Sequence, residues 1–287
     1  MIELNNGQLF LTDRVQRVFR IAESEALAAN SVMLTPSHIL LACFLEKTGV
    51  LGEISLRCNM NLDLLITVID PEHPFIYHDF FTIPIATEVE SVIKKSITYM
   101  KKYNQIYINE GHILKALLAT NTIASYLSEK DKKIIMALGT TSRDMITHLG
   151  HYIFPEIKHP PFIRKVKKED YENLIQFVKM YFSEGWAQTI EKGLCEVNPK
   201  IYVAFEEDHT LAGFAAFDIY QNKKCYFGPM GVHTSQRTKG IGYSLLHHCL
   251  KDMKEIGYEY AIIGGAGPME FYEKACNAVV IPMPVEI

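Results

Sequence analysis

The feature that most constrains this chain is a repeat. His38-Ile39-Leu40 and His112-Ile113-Leu114 lie 74 residues apart (112 − 38), and Val18 and Val92 keep the same offset (92 − 18). Within 12–29, Val15, Val18, Phe19, Ala22, Ala26 and Ala29 recur at the spacing of one helical face. Thr12 supplies an N-cap in front of them. Thr35-Pro36 then opens a second helix carrying Ile39, Leu40, Cys43 and Phe44, with proline at the favoured first position. Residues 86–100 and 109–120 repeat the plan. Two helical units at one offset predict a pseudo-symmetric all-α domain. In such a domain His38 and His112, each in a first helical turn, read as packed structural residues.

The stretch "FPEIKHPPF" (154–162) ends this rhythm, because Pro155, Pro160 and Pro161 block a continuous helix. A chain of 287 residues exceeds what one core usually serves. The expected division is a helical repeat domain over 1–153, a proline-rich linker over 154–161, and a second domain over 162–287. In the second domain the pattern is mixed. A strand at 162–166 precedes helices at about 169–181 and 183–194. Strand-like runs follow at 200–207, 210–220 and 224–232, then an apolar helix after Gly240, a strand at 258–265, a helix at 268–276 and a last short strand at 278–281. This order, β-α-α-β-β-β-α-β-α-β, predicts an α/β (α+β) domain.

Composition excludes several roles. Net charge is −4 with no basic stripe, which argues against a nucleic-acid partner. No apolar run approaches membrane-spanning length, and the start "MIELNNGQLFLTDR" has no signal-peptide pattern. The six cysteines are scattered without a C-x-x-C pair and point to reduced thiols in the cytoplasm, with no metal site. No G-x-x-x-x-G-K-[ST] occurs, so the chain carries no P-loop motor.

The element with chemical content is Arg237-Thr238-Lys239-Gly240-Ile241-Gly242, placed between a strand and an amphipathic helix. The N-terminus of a helix offers unpaired N–H groups and the positive end of its dipole. Gly240 and Gly242 let the backbone approach a ligand without Cβ obstruction, and successive amides form an anion nest. Arg237 and Lys239 add positive charge. Two glycines this close cost helix stability, so a reason beyond capping is expected.

The segment "LTDRVQRVFRIAESEALAANSVMLTPSHILLACF", echoed by "IATEVESVIKKSITYMKKYNQIYINEGHILKALL", resembles the Clp N-terminal (Clp repeat) domain over about residues 8–150. The resemblance implies a domain that docks proteins and does no chemistry itself. In some members it binds phosphorylated arginine, through a threonine opening each repeat and a glutamate just before each histidine. Here Thr12 matches, but the other positions hold Ser37, Ala86 and Gly111, and without a carboxylate that pocket cannot pair a guanidinium.

The second half, about 162–287, resembles the GCN5-related N-acetyltransferase (GNAT) family through Arg237–Gly242 and "GPMEFYEKACNAVVI". The resemblance implies a central mixed sheet in this domain and acetyl-CoA (coenzyme A) as cofactor. It implies pantetheine contacts along Met230, Gly231 and Val232, and a pyrophosphate held by the amides of Thr238, Lys239, Gly240, Ile241, Gly242 and Tyr243, with Arg237 at the rim. In this frame the Val232 backbone end polarises the thioester carbonyl and Tyr272 protonates the departing thiolate. Glu270 and His233 are candidate bases, and Glu184 and Trp186 lie where the acceptor is expected. The function implied is an acetyl-CoA-dependent N-acetyltransferase for an amine acceptor, small molecule or protein, with a helical domain for protein docking. The alternative is a non-catalytic adaptor or CoA-sensing protein that binds a Clp-related partner. Two departures bear on this. Asn277-Ala278 replaces the family's more usual Gly-Phe, and the chain has only six residues after Ile281. The usual final hairpin is therefore expected to be short or missing, with completion by another subunit, as in a homodimer, one way to close the site.

Overall fold

The computed structural model describes residues 10–66, 73–157, 162–237 and 239–284. Two compact units divide between Ser142 and Arg143, and the second ends at Ile281.

The first unit is helical and keeps the 74-residue offset in detail. Helix α1 spans Asp13–Ala28, α2 Pro36–Glu46 and α3 Gly49–Arg57. A two-stranded ladder of β1 (Phe75–Ile76) with β2 (Ile85–Ala86) leads into α4 (Thr87–Lys102) and α5 (Glu110–Leu118). Helices α6 (Asn121–Tyr126) and α7 (Glu129–Gly139) follow. Adding 74 to both ends of α1 gives α4, and α5 starts 74 residues after α2. The pairing between repeats is reciprocal: Leu11 bridges Ile108, while Ile85, the counterpart of Leu11, bridges Leu34, the counterpart of Ile108. Each repeat thus lends an extended residue to the other, as an internal two-fold requires.

Both histidines do the same work. The Thr35 N–H donates to His38 Nδ1 at 3.2 Å and the Asn109 N–H to His112 Nδ1 at 3.1 Å. Each ring satisfies an orphan donor at a helix start, in the manner of a capping box. Both rings are buried, and burial lowers both pKa values, that of His112 to about 4. Asymmetry enters through charge. Arg14 of α1, buried, donates from Nη1 to Glu110 of α5 at 2.8 Å and lies near Glu46 of α2. Pro36 occupies the position in repeat one that Glu110 holds in repeat two.

The second unit is built on a seven-stranded sheet. Its strands are β3 (Arg143–His148), β4 (Phe162–Lys165), β5 (Ile201–Phe205), β6 (Leu211–Phe217), β7 (Tyr226–Val232), β8 (Tyr260–Ala266) and β9 (Val279–Val280), in spatial order β4-β5-β6-β7-β8-β3-β9. Only β7 and β8 pair in parallel; the other pairs are antiparallel. Helices α8 (Tyr171–Tyr181) and α9 (Glu184–Leu194) cover one face with a core of Leu174, Phe177, Val178, Ile190 and Phe214. Helix α10 (Ile241–Ile256) packs on β5, β6 and β7, and α11 (Met269–Cys276) links β8 to β9.

This arrangement corrects two expectations. The mixed sheet does not begin at 162. Strand β3, upstream of the proline-rich stretch, runs antiparallel to both β8 and β9, with Met145 opposite Ile263 on one side and Val280 on the other. The edge of β8, where completion by another subunit was expected, is therefore paired by β3 of the same chain. The segment after β3 stays with this unit. The Tyr152 hydroxyl lies 2.8 Å from His247 Nδ1, and Phe154 meets the ring of His248, both on α10. A linker over 154–161 therefore starts inside packed structure at its N-terminal end, while residues 158–161 lie outside the described residues. Among the described residues no helix is long and apolar enough to cross a membrane.

Candidate active site

The site is set by how β7 ends. The β7–β8 ladder among the described residues consists of Tyr226 with Ile262 and Phe227 with Ile263. Beyond Phe227, β7 continues to pair with β6 on its other side, Met230 opposite Ala215 and Val232 opposite Gly213. The ladder shifts between Ala215 and Phe217, so β7 carries an extra residue and bends there. The His233 N–H donates to Ala212 O at 2.8 Å, toward β6. Backbone direction alternates along a strand, so the N–H groups of Val232 and Met230 point to the opposite edge, where β8 has diverged. An open strand edge of this kind offers donors and acceptors to an extended ligand.

Helix α10 starts beside that edge. Gly240 is its N-cap at φ 77°, a left-handed conformation that favours glycine, and a Cβ there would meet nothing within 4 Å. At Gly242 a Cβ would sit 3.6 Å from Val232 Cγ2, 3.9 Å from Phe271 and 4.0 Å from Met230, all ordinary contacts. Neither glycine is required by crowding inside the protein. That leaves room over the first turn for a ligand that approaches the backbone, the requirement of a pyrophosphate cradle. Thr238 of the expected cradle lies outside the described residues.

The two cations of the motif are partly committed. Arg237 Nε donates to Val232 O at 3.1 Å, so its guanidinium turns back on the end of β7, and burial lowers its pKa. Lys239 Nζ donates to Gln236 Oε1 at 2.6 Å, with the residue exposed. Ile241 is buried against the sheet, and the Tyr243 ring lies 4.2 Å from that of His247 one turn on.

Tyr272 stands at the point of divergence. Its ring packs edge-on to Phe227, the last β7 residue paired with β8, at 6.3 Å, and to Phe271 at 4.9 Å. The residue is 7% exposed, and burial first, then Cys276, pushes its phenol pKa up, so the hydroxyl stays protonated at any physiological pH. Helix α11 is pinned from upstream as well: Thr147 Oγ1 of β3 donates to Cys276 O, and Cys276 Sγ donates to Tyr272 O at 3.3 Å. Asn277 takes φ 53° at the helix C-cap, where asparagine tolerates the left-handed turn that glycine more often makes.

The candidate bases differ. Glu270 is buried and its carboxylate lies 2.7 Å from Lys274 Nζ, so it is held as an ion pair. His233 directly follows β7, and its Nδ1 lies 2.7 Å from Ser235 Oγ, which orients the ring. Glu184 is exposed and paired with Lys179 at 2.8 Å, and Trp186 stacks on Phe182. Sequence reasoning named Trp186 and passed over Tyr181 and Phe182, although "MYFSEGW" places four aromatic or sulfur side chains at the α8–α9 turn.

Comparison with known proteins assigns a family to each half of the chain. Residues 10–130 match the family model of the Clp repeat (R) N-terminal domain, and residues 163–277 match that of the Acetyltransferase (GNAT) family. The chain joins a Clp repeat domain to a GNAT domain. A curated relative is the ATP-dependent Clp protease ATP-binding subunit ClpC of Staphylococcus epidermidis, 25% identical over 39% of this chain and 14% of its own length. This chain thus spans a small fraction of that relative. Among solved structures, a GCN5-related N-acetyltransferase from Sphaerobacter thermophilus is 20% identical with TM-score 0.41, covering 54% of this chain and 54% of its own. The Hsp104 N-terminal domain from Candida albicans is 20% identical with TM-score 0.36, covering 46% of this chain and 93% of its own. The GNAT model begins at residue 163, so β3 lies outside it although it belongs to the same sheet.

Proposed function

We propose that this protein is a cytoplasmic N-acetyltransferase that uses acetyl-CoA, and that its Clp repeat unit docks a protein partner. The observation that carries the reading is the open edge of β7 beside the positive-φ start of α10. One element offers strand-edge hydrogen bonds to a pantetheine arm and the other a helix N-terminus to a pyrophosphate. Gly240, Ile241, Gly242 and Tyr243 would hold the phosphates with Lys239 beside them, and Met230 to Val232 the arm. The acetyl thioester supplies an activated acyl carbon.

The chain's own groups then serve the transfer. The Val232 N–H, directed at the open edge, donates to the carbonyl oxygen as negative charge grows there. Arg237, by holding Val232 O in the next peptide, anchors the residue that carries this N–H. The amine must lose a proton before its lone pair can form the new C–N bond, and His233 is better placed to take it than Glu270, which Lys274 occupies. Tyr272 would donate its phenolic proton to the departing sulfur, which keeps the electron pair of the broken C–S bond. A phenol held protonated by burial suits that task.

The test is calorimetry of the full chain with CoA and acetyl-CoA, followed by thiol release with a panel of amines. Saturable binding and turnover are expected. Tyr272→Phe should lower kcat by about 100-fold, within the range for a positioned general acid, with CoA affinity within twofold. Binding without turnover on any amine or protein acceptor would turn the reading toward a CoA-sensing adaptor, and no binding would end it.

A further inference from the structure

The acceptor side of the site has a distinct chemistry, and the inference drawn from it rests on the acetyl-transfer reading. Side chains of β7 alternate between faces. Met230 and Val232 lie toward Gly242 and α10, whereas position 231 faces the α8–α9 turn, where a Cβ would lie 2.5 Å from the Phe182 ring. Gly231 is thus glycine because Phe182 is seated on it. Trp186 stacks on Phe182 with centroids 5.6 Å apart and planes 16° apart. Tyr181 meets the His233 ring edge-on at 4.5 Å and 84°. Phe214 lies under Phe182 and Trp186 at 5.5 Å and 6.3 Å and fixes them from below.

The result is a wall of rings on the face opposite α10, in contact with the strand end where the acyl carbon would lie. Its base is buried, while Trp186 remains 39% exposed and Tyr181 42% exposed. A donor lying along the open edge on the α10 side leaves this face as the acceptor's approach. The wall carries little available charge. Glu184 is paired with Lys179, and Arg237 turns to Val232 O. Glu184, the carboxylate at this turn, is already engaged by Lys179, so a polyamine's second ammonium would have to displace that lysine, and an amino sugar would press hydroxyls on apolar rings. An aromatic ring gains offset or edge-on stacking on the same surface.

We propose that Tyr181, Phe182, Trp186 and His233 form the acceptor subsite, and that the acceptor is a primary amine joined to an aromatic ring by a short alkyl chain. The seat touches residue 231 itself, so a long spacer between ring and nitrogen would carry the nitrogen past the strand end.

Trp186 is the only tryptophan of the chain, which gives a direct readout. Titration of the full protein with phenethylamine should change its fluorescence saturably, whereas n-propylamine should not. In thiol-release assays kcat/KM for phenethylamine should exceed that for n-propylamine at least tenfold. In Trp186→Ala and in Tyr181→Ala that ratio should fall below threefold, mainly through KM, and Trp186→Phe, which keeps a ring, should restore it. CoA binding by each variant shows that it is folded. Equal use of the two amines, or turnover with spermidine or a protein acceptor only, would overturn the aromatic assignment and leave the acetyltransferase reading intact. Failure of CoA to bind would overturn that reading, and the fluorescence titration would still judge the wall. No saturable response to phenethylamine would then overturn it too.

Discussion

Gly240 and Gly242 are two residues apart and are glycine for different reasons. Gly240 needs its positive φ, so Gly240→Ala is strained by roughly 1 kcal/mol wherever its Cβ points. Gly242 has helical backbone and space for a methyl group. Glycine in a helix costs about 1 kcal/mol relative to alanine. Gly242→Ala should therefore raise the melting temperature while weakening CoA binding at least tenfold. Opposite signs in the two measurements are the signature of a residue kept small for a ligand. A variant that gains stability and binds CoA normally would remove Gly242 from the cradle. From sequence, the two glycines look alike. The positive φ and the free space around a Cβ, which tell them apart, are properties of the folded backbone.

At the scale of elements, the most informative strand is the one that sequence reading missed. Helices α1, α2, α4 and α5 were legible because a 3.6-residue period repeats with a fixed offset, and β4 to β9 because turn residues bracket apolar runs. In strand β3 burial alternates, with Arg143, Met145 and Thr147 buried and Asp144 and His148 exposed, but the residue types do not, since an arginine and a threonine lie inward and Ile146 is on the other face. No strand pattern is therefore legible there in the sequence, and the segment also lies upstream of the prolines, which read as a boundary. Topology overrides that rule here, since a strand can cross a proline-rich stretch and still pair with distant β8 and β9. Met145, fully buried between those two strands, tests the point. Met145→Asp should destabilise the second unit by more than about 4 kcal/mol through an unpaired buried charge. It should also abolish CoA binding while the helical unit keeps its circular dichroism. His148→Gln, at the exposed position of the same strand, should stay within about 0.5 kcal/mol of the native protein. If Met145→Asp binds CoA normally, β3 is dispensable to the acetyltransferase fold.

Across the whole molecule, each unit carries histidines whose pKa values are lowered by burial, and the two lowered to about 4, His112 in the first unit and His247 in the second, link both units to pH in parallel. His112 in the first unit accepts a backbone N–H at Nδ1, and His247 in the second lies 2.8 Å from the Tyr152 hydroxyl; each is 3% exposed. Burial is the main cause that lowers each pKa to about 4, from an ordinary 6.5. The unfolded chain therefore binds more protons than the folded one between about pH 4 and pH 6.5, and stability rises with pH through that window. Going the other way, each unit keeps its full stability from this source above 6.5 and loses it progressively down to about 4, by roughly 3 kcal/mol per histidine at most. Urea unfolding at pH 7.0, 5.5 and 4.5 reads the effect. Trp186 fluorescence follows the second unit alone, and far-ultraviolet circular dichroism follows both. His247→Asn should flatten the pH slope of the fluorescence transition and leave the helical transition as steep as before, while His112→Asn should do the reverse. If either substitution leaves the slope of its own unit unchanged, the ring it removes is already protonated or solvated in the folded state. The acid lability of that unit would then belong to its carboxylates.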